Sequence, residues 1–161
     1  MDKLISDELR LALCEQLGHE KFNAHLYLYI AGVLKNKGLD NLAKIFEGQT
    51  QEESGHAKMI FDFLTDLNAD VHIPEINSVN IQFGSIMDIA HQYLAREIVT
   101  TTSLDEIKKI AQDENPVAEE FLRDMIKLQR HEYEEACGFV DRAEIVGNDW
   151  MNALIWDLSL R

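Results

Sequence analysis

Four long stretches of this 161-residue chain carry apolar residues at alternating steps of three and four, and this spacing constrains the fold more than any other feature. Such a repeat places the apolar side chains along one face of an α-helix, as packing within a helical bundle requires. Only two prolines are present, Pro74 and Pro116, and both fall outside the strongly periodic stretches. A proline inside a helix removes a backbone hydrogen bond and clashes with the preceding turn, so their positions favour long helices. The sequence therefore predicts an all-α protein with four packed helices.

Helix boundaries follow from capping residues and loop lengths. We expect helices over about 6–37, 39–68, 84–112 and 116–146, and a short apolar C-terminal helix over about 149–160. Ser6 suits an N-cap, and Pro116 suits the first turn of the fourth helix. The segment 69–83 has no helical period and is long for a loop within a compact domain, where ~4–6 residues are usual. It is long enough to cross the whole bundle, so the second and third helices can run parallel. We treat residues 1–161 as one domain, with the bundle at about 6–146.

Charge and composition narrow the choice of partners. The net charge of −14 argues against nucleic acid or an anionic membrane surface as a partner. It is compatible with attraction of cations, although solubility alone also explains it. The N-terminus has no apolar signal core, and no apolar run is long enough to span a bilayer. Cys14 and Cys137 lie outside any CxxC spacing, as expected of buried or incidental thiols in a reducing compartment. We therefore expect a cytoplasmic protein with no nucleic-acid or membrane partner.

Each apolar seam is interrupted near its middle by a glutamate, about 13–15 residues or ~20 Å from the start of its helix. The four residues are Glu20, Glu53, Glu97 and Glu132. Side chains at mid-length share one level of a bundle whichever way each helix points, so these carboxylates should converge in one core layer. Burying them unpaired is costly, because each loses several kcal/mol of hydration and repels the others. No lysine or arginine occupies a seam at that level, so a pair of divalent cations is the simplest compensation.

The residue types at this level indicate which metal the layer would bind. Glu53 and His56 form a Glu-x-x-His pair, which places both side chains on one helix face one turn apart. Oxygen-rich ligation with one imidazole suits iron or manganese better than a structural zinc site. The fourth helix carries Gln129-x-x-Glu132 in place of a second such pair. The sequence therefore predicts an asymmetric site with two unequal metal positions.

The two positions differ in their predicted ligands. One position has a complete set of protein ligands, Glu20, Glu53 and His56. The other has only oxygen ligands, from Glu53, Glu97 and Glu132, and is expected to be weaker and more labile.

Taken together, these motifs resemble the bacterial non-haem ferritins over nearly the whole chain. The resemblance rests on the context of Glu20, the run Gln51–Ala57, Glu97, the pair Gln129 and Glu132, and the short C-terminal helix. It implies a ferritin-like four-helix bundle with a long crossover between helices two and three and a ferroxidase centre in which Glu53 bridges two irons. It also implies oxidation of Fe(II) by dioxygen or hydrogen peroxide, no haem, and a homo-oligomeric shell of 24 subunits that stores Fe(III) mineral. The implied catalytic residues are Glu20, Tyr27, Glu53, His56, Glu97, Gln129 and Glu132, and Glu52 joins the metal ligands.

The resemblance also assigns supporting roles. Tyr27 matches a tyrosine beside the centre, and Gln129 would approach the metals or oxygen without being a main ligand. Glu52 and Glu132 match a third, transport-type iron position. Two acids usual at that position are replaced here by Leu128 and His131, so the third position is weakened or supplied differently.

Related families fit less well. A bacterioferritin would place a methionine, not Ser54, after the bridging glutamate, and a rubrerythrin would add a cysteine-rich segment that is absent here. Two other functions remain open: a di-iron oxidase or peroxidase that stores no mineral, and a structural bundle that binds metal only to hold its fold. The apolar tail either caps the bundle or packs around a fourfold axis, and the resemblance favours the second arrangement.

Overall fold

The computed structural model describes residues 4–161 and folds that range into five helices and no strands. The helices are α1 (Asp7–Asn36), α2 (Asp40–Asp66), α3 (Ile86–Gln112), α4 (Pro116–Val146) and α5 (Trp150–Ser159). The all-α prediction is confirmed, and each helix begins and ends within two residues of its predicted bounds. No helix in the described range is both long and apolar enough to cross a bilayer.

Polar side chains fix the starts of four of these helices. Ser6 accepts a hydrogen bond from the Leu9 amide at 3.1 Å, and Ser85 caps α3 in the same way. Asn115 caps α4 immediately before Pro116, and Asp149 caps α5. These short polar residues accept hydrogen bonds from amides that have no partner within the helix.

The fifth helix supplies the missing cap of α2. Leu39, which precedes α2, offers no side-chain acceptor. Asp157 replaces it, since its Oδ1 accepts from the Leu42 amide at 2.7 Å and the residue is only 2% exposed. Trp156 packs on Phe139 of α4 with ring centroids 4.9 Å apart. The tail therefore docks on the end of the bundle, whereas its opposite face exposes apolar side chains at Met151, Ile155 and Leu158.

We expect Asp157→Ala to lower the free energy of unfolding by about 1–3 kcal/mol, because a buried helix-start amide loses its only acceptor. Urea unfolding followed by helical circular dichroism measures the change. Asp157→Asn keeps an acceptor oxygen and should lose much less. Equal unfolding midpoints for the alanine variant and the parent would show that this cap does not stabilise the fold.

The crossover connection runs along α1 in the direction of that helix. Arg10 donates to the Asp70 carbonyl at 3.2 Å, near the start of α1, and Tyr29 donates to the Ile81 carbonyl at 2.7 Å, near its end. Between these two contacts, Pro74 packs against Gly18. A Cβ added to Gly18 would lie 2.3 Å from the proline ring, so this position accommodates only glycine without a shift. The connection thus returns the chain to the end where α2 began, and α2 and α3 run parallel as the loop length predicted.

The apolar core is divided into two clusters, one at each end of the bundle. One cluster includes Leu9, Leu13, Leu64, Leu104 and Leu122. The other includes Tyr27, Leu34, Phe46, Tyr93 and Phe139. Most of the buried polar residues, among them Glu20, Glu53 and Glu97, occupy the level between them.

Candidate metal centre

The level between the two apolar clusters holds the side chains that the seam pattern singled out. Each of the four seam glutamates is at most 3% exposed, and the neighbouring imidazole and amide are buried too. The six residues are Glu20, Glu53, His56, Glu97, Gln129 and Glu132. Side chains from α1, α2, α3 and α4 therefore meet at one level of the bundle, as the seam pattern predicted.

Three of these residues form a compact group. Glu20, Glu53 and His56 each offer one ligand atom, and these atoms lie within 4.8 Å of one another. His56 Nδ1 is 3.8 Å from one oxygen of each of the two carboxylates. Glu20 Oε2 and both oxygens of Glu53 are buried without a hydrogen-bond partner. Because unpartnered buried carboxylate oxygens are costly, this donor set fits a divalent cation.

Glu97 is held differently, by two neighbouring side chains. Tyr27 donates its hydroxyl hydrogen to Glu97 Oε1 at 2.5 Å, and Gln129 donates from Nε2 to Glu97 Oε2 at 2.7 Å. Tyr27 and Gln129 thus lie beside the centre where the sequence resemblance placed them. Glu97 does not form a group with Glu53 and Glu132 that is as compact as that of Glu20, Glu53 and His56. The second metal position therefore stays a prediction.

Glu132 instead belongs to a second group, on the side of α4 that faces α2. Ligand atoms of Glu52, Glu132 and Glu135 lie within 4.8 Å of one another, and Glu132 Oε2 has no hydrogen-bond partner. His131, which is exposed, lies 3.1 Å from Glu135. Sequence reasoning did not assign Glu135 to the third position. The available signal was the spacing Glu132-x-x-Glu135, which places both acids on one helix face.

Burial and mutual repulsion shift the pKa values at the centre. Burial raises the pKa of Glu53 well above its usual range, and the nearby Glu20 carboxyl adds to the rise. Burial also acts on Glu20, but interactions with Glu53 and His56 outweigh it and lower the pKa of Glu20. The two carboxyls therefore shift in opposite directions, and Glu20 loses its proton more readily than Glu53.

The same causes act on the remaining ligands. Burial, reinforced by Glu52, raises the pKa of Glu132 to about 9. Burial raises the pKa of Glu97 despite the hydrogen bonds from Tyr27 and Gln129. For His56 the burial effect is outweighed by Glu20, so the imidazole pKa is raised. Bound cations would favour the charged carboxylates and the neutral imidazole, and metal binding is therefore expected to release protons.

A positively charged side chain, Arg96, lies beside the layer of buried glutamates. The seam positions at that level contain no lysine or arginine. Arg96 is half-buried, and its Nε donates to Asn23 Oδ1 at 2.8 Å. Asn23, which is fully buried, donates in turn to Thr100 Oγ1 at 3.0 Å. Arg96 lies outside the seam of α3, one residue before Glu97, so a search confined to seam positions could not find it.

Comparisons with known proteins agree with this geometry. A family model described as Ferritin-like domain matches residues 10–145. A bacterial non-heme ferritin of Staphylococcus epidermidis is 26% identical over 158 residues, which span 98% of this chain and 95% of that protein. A protein of the same name from Staphylococcus aureus is 28% identical over 115 residues, or 71% of this chain and 69% of that one. The crystal structure of an open-pore ferritin from Archaeoglobus fulgidus superposes with a TM-score of 0.91 at 26% identity and covers 99% of this chain and 98% of that chain.

Proposed function

The chain belongs to the ferritin-like family, and from that premise we propose that it stores iron and oxidises Fe(II) at the buried carboxylate layer. The observation that carries the proposal is the group of Glu20, Glu53 and His56, in which three buried carboxylate oxygens have no hydrogen-bond partner. Storage is supported by the relatives, which are named ferritins and match along most of the chain.

Glu53 is the best candidate for a bridge between two ferrous ions. Its side chain is fully buried, both of its oxygens are unpartnered, and one of them faces His56. On the other side of His56, Glu132 lies 4.0 Å from the imidazole Nε2. The charges of Glu97 and Glu132 also raise the pKa of Glu53, so both residues lie near its carboxylate. A carboxylate shared by two ligand sets can hold two metal ions close together. Two Fe(II) ions then supply the two electrons that reduce dioxygen to hydrogen peroxide, or hydrogen peroxide to water.

In this proposal Tyr27 and Gln129 orient Glu97 at the second position. Each donates to a different oxygen of that carboxylate, which fixes its plane relative to the bundle axis. Such hydrogen bonds to a ligating carboxylate commonly tune metal affinity. Because the second position lacks an imidazole, it is proposed as the weaker of the two.

Glu52, Glu132 and Glu135 are proposed as the route by which Fe(III) leaves the centre. Glu132 is buried, whereas Glu52 and Glu135 are exposed, so the three carboxylates connect the layer to the surface between α2 and α4. This group takes the place of the third iron position, with Glu135 in the role of the acids that Leu128 and His131 replace.

Storage requires a shell, and we propose that 24 copies of the chain form it. The apolar face of α5 supports this proposal, because Met151 and Ile155 are more than 60% exposed. A row of exposed apolar side chains on one helix is expected to be covered in the assembled protein.

Anaerobic titration of the metal-free protein with Fe(II), followed by exposure to oxygen, tests the proposed function. We expect rapid oxidation that saturates near two irons per chain, then slower growth of ferric absorbance with further iron. The second phase is slower because each centre must release its ferric product before it can bind Fe(II) again.

Size-exclusion chromatography of the same sample is the companion measurement. A large cage supports storage, whereas a monomer or dimer with fast oxidation would point to a non-storage di-iron oxidase. Oxidation no faster than in a protein-free control would leave only a structural role for the metal.

A further inference from the structure

The carboxylate of Glu20 has one engaged oxygen and one free oxygen. Its Oε1 accepts from Gln16 Nε2 at 3.0 Å, and its Oε2 has no hydrogen-bond partner and lies 3.8 Å from His56 Nδ1. Gln16 is fully buried one turn before Glu20 on α1. The free oxygen is therefore the one directed towards the metal group.

A second hydrogen bond decides which way the Gln16 amide points. Ser103 of α3 donates its hydroxyl hydrogen to Gln16 Oε1 at 2.5 Å. With that oxygen engaged, the amide hydrogens face Glu20. If the amide turned over, its oxygen would face the charged carboxylate and be repelled. Ser103, Gln16 and Glu20 thus form a directed chain that joins α3 to α1.

The hydrogen-bonded series Ser103–Gln16–Glu20 supports only one of the two metal positions. Glu53 receives no hydrogen bond, and Glu97 is held by Tyr27 and Gln129 on another side of the layer. The Ser103 hydroxyl therefore acts on Glu20 and on no other ligand. A change at Ser103 should reach the position formed by Glu20, Glu53 and His56 and leave the other position largely untouched.

We propose that Gln16 and Ser103 are positioning residues that set the metal affinity of the Glu20 position by fixing the orientation of its carboxylate. The inference rests on the proposed function only in requiring that this group binds a divalent cation. Partners of this kind commonly change metal affinity by ~10–100-fold when they are removed. A purely structural tie between α1 and α3 would instead change stability and leave affinity as it was.

Zn²⁺ is a suitable probe because it takes nitrogen and oxygen ligands and has no redox chemistry. We expect Ser103→Ala to weaken the tighter Zn²⁺ binding event by ~10-fold in calorimetric titration of the assembled protein, with the weaker event unchanged. The Fe(II) concentration at half-maximal oxidation rate should rise by a similar factor, and the limiting rate should change less. The thermal midpoint of the metal-free protein should fall by about 2–12 °C, because the buried oxygen of Gln16 loses its donor.

Two further variants make the test specific. Ser103→Thr keeps the hydroxyl and should restore the affinity, since Ser103 lines a surface groove of about 420 Å³ that has room for a methyl group. Thr102→Ala removes an exposed hydroxyl from the same groove and should have no effect. Gln16→Met removes the donor to Glu20 at similar volume and should reproduce the Ser103→Ala result. The two variants thus test both hydrogen bonds of the series.

Three outcomes would overturn the inference. Unchanged tight-site affinity in Ser103→Ala and Gln16→Met would show that the chain does not act on the metal position. Equal weakening of both binding events, or a loss that Ser103→Thr does not restore, would indicate a general structural role. These results are distinct from failure of the proposed function, in which the parent protein itself would bind no Zn²⁺ at the centre.

Discussion

Glu53→Gln is expected to abolish rapid oxidation of Fe(II) while leaving the helical fold and the assembly intact. Glu53 is the proposed bridge, and its fully buried carboxylate has two unpartnered oxygens. An amide supplies a neutral oxygen and cannot hold two cations at once. The initial rate should fall by more than ~100-fold, beyond the ~10–100-fold typical of lost outer partners of a metal ligand.

Stopped-flow absorbance at two irons per chain measures this rate. Glu144→Gln makes the same charge change at an exposed site on α4 and should oxidise iron like the parent. The metal-free Glu53→Gln protein should also be at least as stable as the parent, because the substitution removes a buried acid that no cation compensates. A parental initial rate in Glu53→Gln would rule out the assigned centre.

Raising the pH from 5.5 to 8.5 is expected to destabilise the metal-free protein and to strengthen its metal binding. Burial raises the pKa of Glu53 and brings that of Glu132 to about 9, so the folded chain holds these protons more tightly than the unfolded chain. Their contribution to stability is therefore complete below the unfolded pKa, near 4.5. The contribution of Glu132 is lost as the pH rises towards 9, and that of Glu53 falls in the same direction. We expect the thermal midpoint to fall by roughly 5–10 °C, or about 2–3 kcal/mol for a chain of this size.

The pH series is compared with that of a variant that lacks two of the acids responsible. Glu53→Gln combined with Glu132→Gln keeps most of the surface charge, and it also keeps Glu97 and His56, whose raised pKa values act in the same direction. The fall in stability with pH should therefore become shallower in the double variant. In the parent, Zn²⁺ should bind more tightly at pH 8.5 than at pH 5.5 and should release protons on binding. An equal slope in the parent and the double variant would show that Glu53 and Glu132 do not cause the pH effect, and would assign it to Glu97, to His56 or to repulsion arising from the net charge of −14.

Much of the fold was predictable because its determinants are local. The three-and-four spacing and the capping residues Ser6 and Asn115 lie within a few positions of the structure they specify. The family prediction is confirmed by the match over residues 10–145. The level of the candidate site was predictable for the same reason, since one interruption at mid-seam in each of four helices places the side chains together whatever the handedness of the bundle.

The contacts that sequence reasoning missed join residues far apart in the chain. The hydrogen bond from Ser103 to Gln16 spans 87 positions, and that from Leu42 to Asp157 spans 115. Neither pair has a spacing that marks it, because a serine, a glutamine or an aspartate at such positions is compatible with many surroundings. Glu135 was missed for another reason: its spacing from Glu132 was visible, but exposed acids on a helix are usually solvated.

The divided core has a consequence for how this protein can change over generations. Each apolar cluster fills one end of the bundle, and the polar layer contributes to neither. Substitutions that remove the ligands therefore leave both hydrophobic ends intact. Apolar replacements at the ligand positions should even stabilise the fold, because they remove buried carboxyls. A gene duplicate could lose the ligands in a few steps and still yield a chain that folds and joins its sister in the proposed shell. Shells that mix metal-binding and ligand-free subunits would then be within easy mutational reach of this architecture.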